Sequence, residues 1–179
     1  MQFAVVMRKQ KVDNPWIDFR WVPHEVLPDL GQFNSSEKNA EHISGQFLGR
    51  DDEGESWLFT GYELNLYPDE AEGYFLNIAA ENPCWFVMWR LEEDFEHYID
   101  QQSFEIAKSE SSFPIPHRID LSYNQAAHLV DSGESVDNIP LKEEEASWLQ
   151  DYVNTHYRPE PKKRHKPASF KGADRPLEK

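Results

Sequence analysis

Three neighbouring residues, His117, Arg118 and Asp120, bring together an imidazole, a guanidinium and a carboxylate. An imidazole and a carboxylate can act in general acid–base catalysis, and a guanidinium can stabilise negative charge. They follow two prolines, and neither a nucleophile nor a second base is recognisable in register with them. A structural ion pair or a cluster at the start of a helix is therefore favoured over a catalytic trio, and no catalytic residue is predicted.

An acidic run from Glu92 to Glu96 is followed by His97 and Asp100, and carboxylates and imidazoles are common metal ligands. Acidic residues that follow an apolar strand more often form a solvated loop. A second acidic run, residues 51–55, lacks the spacing of an EF-hand calcium loop. The sequence therefore predicts neither a metal site nor a cofactor.

The eight glycines are scattered, and they form neither of the glycine-rich patterns that cradle phosphates, GxxxxGK[ST] and GxGxxG. The hydrolase patterns GxSxG and HExxH are absent as well. The single cysteine, Cys84, stands between Pro83 and Trp85 at the head of an apolar segment and cannot form an internal disulfide. A buried, unreactive thiol is the favoured interpretation.

The densest aromatic segment begins after Asn14-Pro15 and contains Trp16, Phe19, Arg20 and Trp21. Two tryptophans with an arginine that can stack on a ring could form a recognition surface. The same rings could equally anchor the core of a small sheet. We expect Trp21 to be buried and Trp16, which follows a turn, to be exposed.

Charge divides the chain into two parts. Residues 1–157 carry ten basic and thirty acidic side chains, whereas residues 158–179 carry eight basic and three acidic ones. The acidic part repels phosphate backbones, so nucleic-acid binding is disfavoured. The tail is expected to be mobile unless docked, as a solubilising extension or a docking peptide, and four of its cations are candidate contacts: Lys162, Lys163, Arg164 and Lys166.

The predicted fold class is α+β and mainly β, with a curved antiparallel sheet or small open barrel of about six to seven strands. Residues 28–42 read as a polar loop. Pro23 restricts its strand to an edge or a bulge. Period-two patterns and β-forming residues predict strands over 3–7, 16–27, 43–48, 57–67, 74–79, 85–89 and 104–107.

Two C-terminal helices complete the predicted domain, which covers residues 1–157. Ser122 and Gln125 have the form of a capping box before a helix over residues 123–131. A second helix is expected over residues 142–157, where apolar residues recur on one face and glutamates occupy the first turn.

The chain offers no run of about 20 apolar residues, so membrane insertion is not expected. Its first basic residues, Arg8, Lys9 and Lys11, follow the apolar N-terminal stretch, whereas a secretory signal places them before it. The cytoplasm is the predicted location.

The sequence resembles a bacterial family of unknown function whose members are typically encoded beside molybdenum-dependent formate dehydrogenases. Its most specific element is the string Pro15-Trp16-x-Asp18-x-x-Trp21. Further likeness lies in Val5 to Arg8, Val26 to Pro28, Glu63-Leu64, Tyr74 to Asn77, Trp85 to Met88, Trp148 to His156 and the Pro/Lys/Arg-rich end. Some members of the family are labelled molybdopterin-guanine dinucleotide biosynthesis proteins.

This resemblance implies an accessory or assembly protein that binds a redox-enzyme subunit, with formate dehydrogenase as the expected partner. The alternative is a ligand-binding or enzymatic protein of molybdopterin-guanine dinucleotide biosynthesis. The resemblance carries over no catalytic residue, and the oligomeric state is not predicted.

Overall fold

A computed structural model describes residues 1–33 and 43–159 of the chain. These ranges hold seven strands and four α-helices, which confirms the predicted mainly β, α+β class. The strands are β1 (Gln2–Lys11), β2 (Phe19–Pro28), β3 (Ser44–Arg50), β4 (Gly54–Glu63), β5 (Cys84–Glu92), β6 (Phe113–Asp120) and β7 (Ser135–Pro140). The helices are α1 (Ala71–Ile78), α2 (Gln101–Ala107), α3 (Tyr123–Asp131) and α4 (Glu143–His156), with 3-10 turns at Pro68–Glu70 and Glu96–Tyr98.

The strands form two antiparallel sheets, with the orders β2-β1-β4-β3 and β6-β5-β7. The described residues therefore form two sheets, whereas the sequence predicted one curved sheet or a small open barrel. β2 lies at an edge, and its register with β1 shifts next to the pair Met7–Pro23. Both consequences expected of Pro23, an edge strand and a bulge, are confirmed.

One hydrophobic core joins the two sheets. In β1, Phe3, Val5 and Met7 point into this core, whereas Ala4 and Val6 pack on the opposite face. This is the alternation that the sequence predicted. β5 is buried on both faces along its first half, as expected for the central strand of its sheet.

The strand predicted over residues 74–79 is wrong, because this segment belongs to α1. Ala71 and Tyr74 are buried one helical turn apart, and Asn77 follows at the next turn. Pro68 opens the preceding 3-10 turn and fixes the backbone angle that a helix start requires. Tyr74 and Ile78 share one face of this helix, whereas Leu76 lies on the opposite side and is exposed, so the apparent alternation does not report a strand.

The strand predicted over residues 104–107 is also wrong, because these residues form the end of α2. The carboxylate of Asp100 caps this helix by accepting a hydrogen bond from the Ser103 amide at 2.8 Å. Such a cap stabilises this helix. With only seven residues, the helix is too short for a 3.6-residue period to be recognised in the sequence.

Strands β6 and β7 were not predicted. β6 contains Pro114 and Pro116, which suggested that the sheet had ended. It lies at the edge of its sheet, where a residue without an amide proton is tolerated.

The two predicted C-terminal helices are confirmed as α3 and α4. The Ser122 hydroxyl accepts a hydrogen bond from the Gln125 amide at 3.3 Å and caps α3. In α4 one first-turn glutamate, Glu145, is buried and accepts hydrogen bonds from the Trp85 indole and the Lys142 amide at 3.0 and 2.9 Å. None of the helices in the described ranges is long and apolar enough to cross a membrane.

The hairpin of β1 and β2 is anchored to β4 at Gly54, which pairs with Gln10. A Cβ atom at Gly54 would overlap the Lys9 carbonyl oxygen, so we expect Gly54→Ala to destabilise the protein. Gly49 is the matched control, because its φ of 154° is nearly that of Gly54 at 156°, yet no atom lies within 4 Å of its Cβ position.

Gly54→Ala should lower the free energy of unfolding by about 1–3 kcal/mol more than Gly49→Ala, as steric overlap in packed structure does. Urea denaturation of both variants measures the difference. Equal losses would show that the backbone angle alone, and not the close approach to β1, requires glycine here.

Candidate functional site

Residues 12–18 connect β1 to β2, and together with the first residue of β2 they display three apolar side chains, Trp16, Ile17 and Phe19, which we call the aromatic tip. Trp16 is 89% exposed, and Ile17 and Phe19 are exposed as well. The Asn14 side chain accepts a hydrogen bond from the Trp16 amide at 2.9 Å, an Asx turn that fixes the loop locally. This local hydrogen bond shapes the backbone of the turn at which the apolar side chains are exposed.

The base of the aromatic tip is tied to the rest of the fold. The Lys11 amide donates to the Glu53 carbonyl at 3.0 Å. The Lys9 ammonium lies 5.4 Å from the ring centroid of Phe19 and 5.6 Å from that of Trp21, and it forms an ion pair with Glu110 at 2.6 Å. These contacts restrain the orientation of the tip relative to the sheet.

The structure separates the aromatic residues that the sequence grouped together. Trp21 is partly buried and packs edge-to-face on Phe113, with 5.1 Å between ring centroids, so it belongs to the core. Arg20 is exposed and makes no ion pair with any described residue. The four basic candidates Lys162, Lys163, Arg164 and Lys166 lie outside the described residues.

A second feature, which we call the acidic cleft, has a volume of about 580 Å³. It lies where the end of β4, the entry to α1 and the end of β6 meet. Its walls carry the carboxylates of Glu63, Asp69, Glu70 and Asp120, together with His117 and Arg118. Negative charge predominates, because one guanidinium faces four carboxylates.

Two of the four carboxylates are engaged by neighbouring groups. Asp120 pairs with Arg118 at 2.5 Å and also accepts hydrogen bonds from two backbone amides at 2.8 Å. Glu70 accepts hydrogen bonds from the Ser122 hydroxyl at 2.9 Å and the Gln125 amide group at 2.7 Å. Glu63 and Asp69 are exposed at the rim and make no ion pair with described residues.

His117, Arg118 and Asp120, which could have formed a catalytic trio, do not act together, because His117 and Arg118 pair with different carboxylates. The His117 ring pairs with Glu92 at 2.8 Å, whereas Arg118 pairs with Asp120. The first pair joins β6 to β5, and the second lies within β6. Asp120 stands just before α3 and accepts hydrogen bonds from the amides of Leu121 and Ser122, so the group is a structural ion-pair cluster next to a helix start.

Tyr74 lies beside the cleft with only 2% of its surface exposed. Its hydroxyl oxygen accepts a hydrogen bond from the Tyr67 amide at 3.3 Å. Burial is the largest cause that raises the pKa of Tyr74 to about 12; the hydrogen bond from the Tyr67 amide opposes this rise, and the negative charges of Asp120 and Glu70 add to it. The phenol therefore stays protonated throughout the physiological range.

This shift predicts a loss of stability at alkaline pH. A tyrosine in the unfolded chain titrates near pH 10, so the folded state holds this proton more tightly. The stabilisation is complete below about pH 10 and is lost as the pH rises toward 12. Urea denaturation at pH 9 and 11 should show a smaller loss for Tyr74→Phe than for the wild type.

Tyr67→Phe, at an exposed position of the same cleft, is the control and should follow the wild type. If the wild type and Tyr74→Phe showed the same pH dependence, the alkaline loss of stability could not be assigned to the ionisation of Tyr74.

The remaining chemistry-bearing residues form no further centre within the described ranges. Cys84 is buried, and burial raises the pKa of its thiol, which disfavours the reactive thiolate. No group of three His, Cys, Asp or Glu side chains in these ranges is placed to hold a metal ion.

Sequence reasoning located the tip but missed the cleft. Asn14-Pro15 is a turn signal, and it correctly placed Trp16 in solvent. The acidic cleft joins residues 61–74 to residues 117–125, and no local pattern reports a contact over that separation. The Pro68-Asp69-Glu70 helix start was the one available signal for its acidic wall.

Comparison with known proteins gives a family but no annotated relative. The model of a family described as "Protein of unknown function (DUF3305)" matches residues 2–166. No curated protein and no solved structure matches the chain. The family match includes the aromatic tip, the acidic cleft and the basic residues up to Lys166.

Proposed function

The chain belongs to the family described as "Protein of unknown function (DUF3305)", and from that premise we propose that it is an accessory or assembly protein that binds a protein partner through its aromatic tip. The single observation that carries the proposal is the 89% exposure of Trp16 at the end of an anchored hairpin.

The energetics of protein interfaces support a binding role for this tip. Tryptophan is enriched among the residues that dominate binding energy, because its ring buries a large apolar area in a partner's pocket. Scattered exposed apolar residues are normal on a protein surface, but here three of them occupy four consecutive positions. The Asx turn at Asn14 and the contacts of Lys9 restrict the tip before binding, which reduces the entropy lost in a complex.

A subunit of a molybdenum-dependent formate dehydrogenase is the partner that we propose. The support is the sequence resemblance to proteins encoded beside such enzymes. The most specific string of that resemblance, from Pro15 to Trp21, coincides with the tip and the first residues of β2. The exposed cation Arg20 and the exposed rings would thus form one contact surface.

The alternative, a ligand-binding or enzymatic role in molybdopterin-guanine dinucleotide biosynthesis, would require a pocket that accepts phosphates. The acidic cleft is the candidate pocket, and its four carboxylates repel phosphate groups. Calorimetric titration with GTP distinguishes the two proposals, because heat of binding is expected only under the alternative.

The proposed function is tested by mixing the purified full chain with purified formate dehydrogenase of the same organism. Co-elution in size-exclusion chromatography at micromolar concentration is the expected result. Separate elution at every concentration up to about 100 μM, where ΔG of binding is weaker than roughly −5.5 kcal/mol, would reject this partner.

A further inference from the structure

We propose that the acidic cleft binds a cationic peptide segment, and that its occupant is the basic run of this same chain, Lys162-Lys163-Arg164-His165-Lys166. This site is distinct from the aromatic tip. Gln2 of β1 pairs with Glu63 beside the cleft, whereas Gln10 pairs with Gly54 beside the tip. Eight residues of strand separate the two places by about 27 Å. The inference therefore does not depend on the proposed function.

Charge complementarity is the first argument for this occupant. The rim carboxylates of Glu63 and Asp69 are exposed and have no cationic partner among the described residues. The basic run supplies four full positive charges within five residues. Ammonium and guanidinium groups are the donors that carboxylates bind most strongly.

The hydroxyl of Tyr74 is the second and independent argument. This side chain is almost fully buried, its oxygen accepts from the Tyr67 amide, and its proton has no acceptor among the described residues. A buried donor without an acceptor costs free energy, so such groups are nearly always paired. A backbone carbonyl of a peptide lying in the cleft would accept this proton, whereas a free metal cation would not.

The path of the chain after α4 is the third argument. The Tyr152 ring contacts the Tyr74 ring with 5.8 Å between centroids, and Tyr157 stacks on Phe75 at 4.6 Å. The chain thus leaves α4 beside α1, the helix whose entry forms one wall of the cleft. Lys162 follows five residues after Tyr157, and five extended residues span up to about 17 Å. This reach exceeds the length of the eight-residue helix α1, about 12 Å, so it is long enough for the run to extend from Phe75 to the entry of α1.

The extent of the family match agrees with a role for the run inside the domain. α4 ends at His156, yet the match continues to Lys166, the last residue of the basic run. Three further cations of the tail, Lys171, Arg175 and Lys179, lie beyond it. The run is therefore the part of the tail that the family pattern includes.

Zero-length carbodiimide cross-linking of the full chain tests the proposal, because it joins only lysines and carboxylates already in contact. An equal mixture of ¹⁴N- and ¹⁵N-labelled chains distinguishes links within a chain from links between chains. Mass spectrometry should detect links from Lys162 or Lys166 to Glu63 or Asp69, within one chain, and 0.5 M NaCl should reduce them at least fivefold.

A matched pair of variants shows whether the run itself is recognised. Lys163→Glu with Arg164→Glu should reduce the links from Lys162 and Lys166 at least fivefold, although both reactive lysines remain. Lys171→Glu with Arg175→Glu changes the net charge equally and should leave those links unchanged. Links between chains, links spread evenly over other acidic residues such as 51–55, or equal effects of the two double variants would each overturn the proposal.

Discussion

Replacing Asn77 with alanine should lower the free energy of unfolding by about 3–5 kcal/mol, since each buried backbone group left unpaired costs roughly 1–3 kcal/mol. Asn77 is 1% exposed, and its side chain makes three hydrogen bonds. Its amide group donates to the carbonyls of Cys84 and Leu121 at 2.8 Å, and its oxygen accepts from the Cys84 amide at 3.0 Å. One side chain thus ties α1 to β5 and to the end of β6.

Urea denaturation followed by circular dichroism measures this loss. Asn154→Ala is the matched control, because Asn154 also lies in a helix but is exposed, and it should change stability by less than about 0.5 kcal/mol. A loss below 1 kcal/mol for Asn77→Ala would show that water or a shifted backbone satisfies the three groups. The same bonds position α1, and the entry to α1 forms one wall of the acidic cleft. The variant should therefore also disturb the geometry of the cleft.

Trp16→Ala should weaken binding to the proposed formate dehydrogenase partner about 30-fold or more, the effect of losing one dominant interface residue worth roughly 2 kcal/mol or more. The stability of the chain itself should change by less than about 0.5 kcal/mol, because the ring is 89% exposed and packs on little. Calorimetric titration gives the two dissociation constants, and thermal denaturation gives the stability.

Leu30→Ala is the matched control for this prediction. Leu30 is 90% exposed, as fully as Trp16, but follows the opposite end of β2. It should leave the affinity unchanged within about threefold. Equal losses for both variants would indicate a general hydrophobic effect, and no loss for Trp16→Ala would remove the tip from the interface.

The parts of the fold that sequence could predict are those with a local signal. β1 alternates between two buried faces, β5 is apolar on both faces, and α3 carries a capping serine. The helices α1 and α2 have eight and seven residues, too short for a 3.6-residue period to be distinguished from alternation. β6 was hidden by two prolines that only its edge position permits.

The candidate site likewise has features with a local sequence signal and features that only tertiary contacts create. The turn at Asn14-Pro15 is local, so the exposure of Trp16 could be predicted before the structure was known. Trp21, five residues later, is removed from the surface by Phe113, a contact that no local pattern reports. The acidic cleft is entirely tertiary, since hydrogen bonds join Glu70 to Ser122 and Gln125 across more than fifty residues.

The most direct test of the proposed function is photo-cross-linking in the living cell from within the tip. A photoreactive benzoylphenylalanine at Ile17, which is 49% exposed beside Trp16, reports on contacts while leaving that tryptophan in place. Irradiation should join the chain to a formate dehydrogenase subunit from position 17 and not from position 30. No cross-link at position 17, or equal cross-linking from both positions, would contradict the assignment of the aromatic tip as the partner-binding surface.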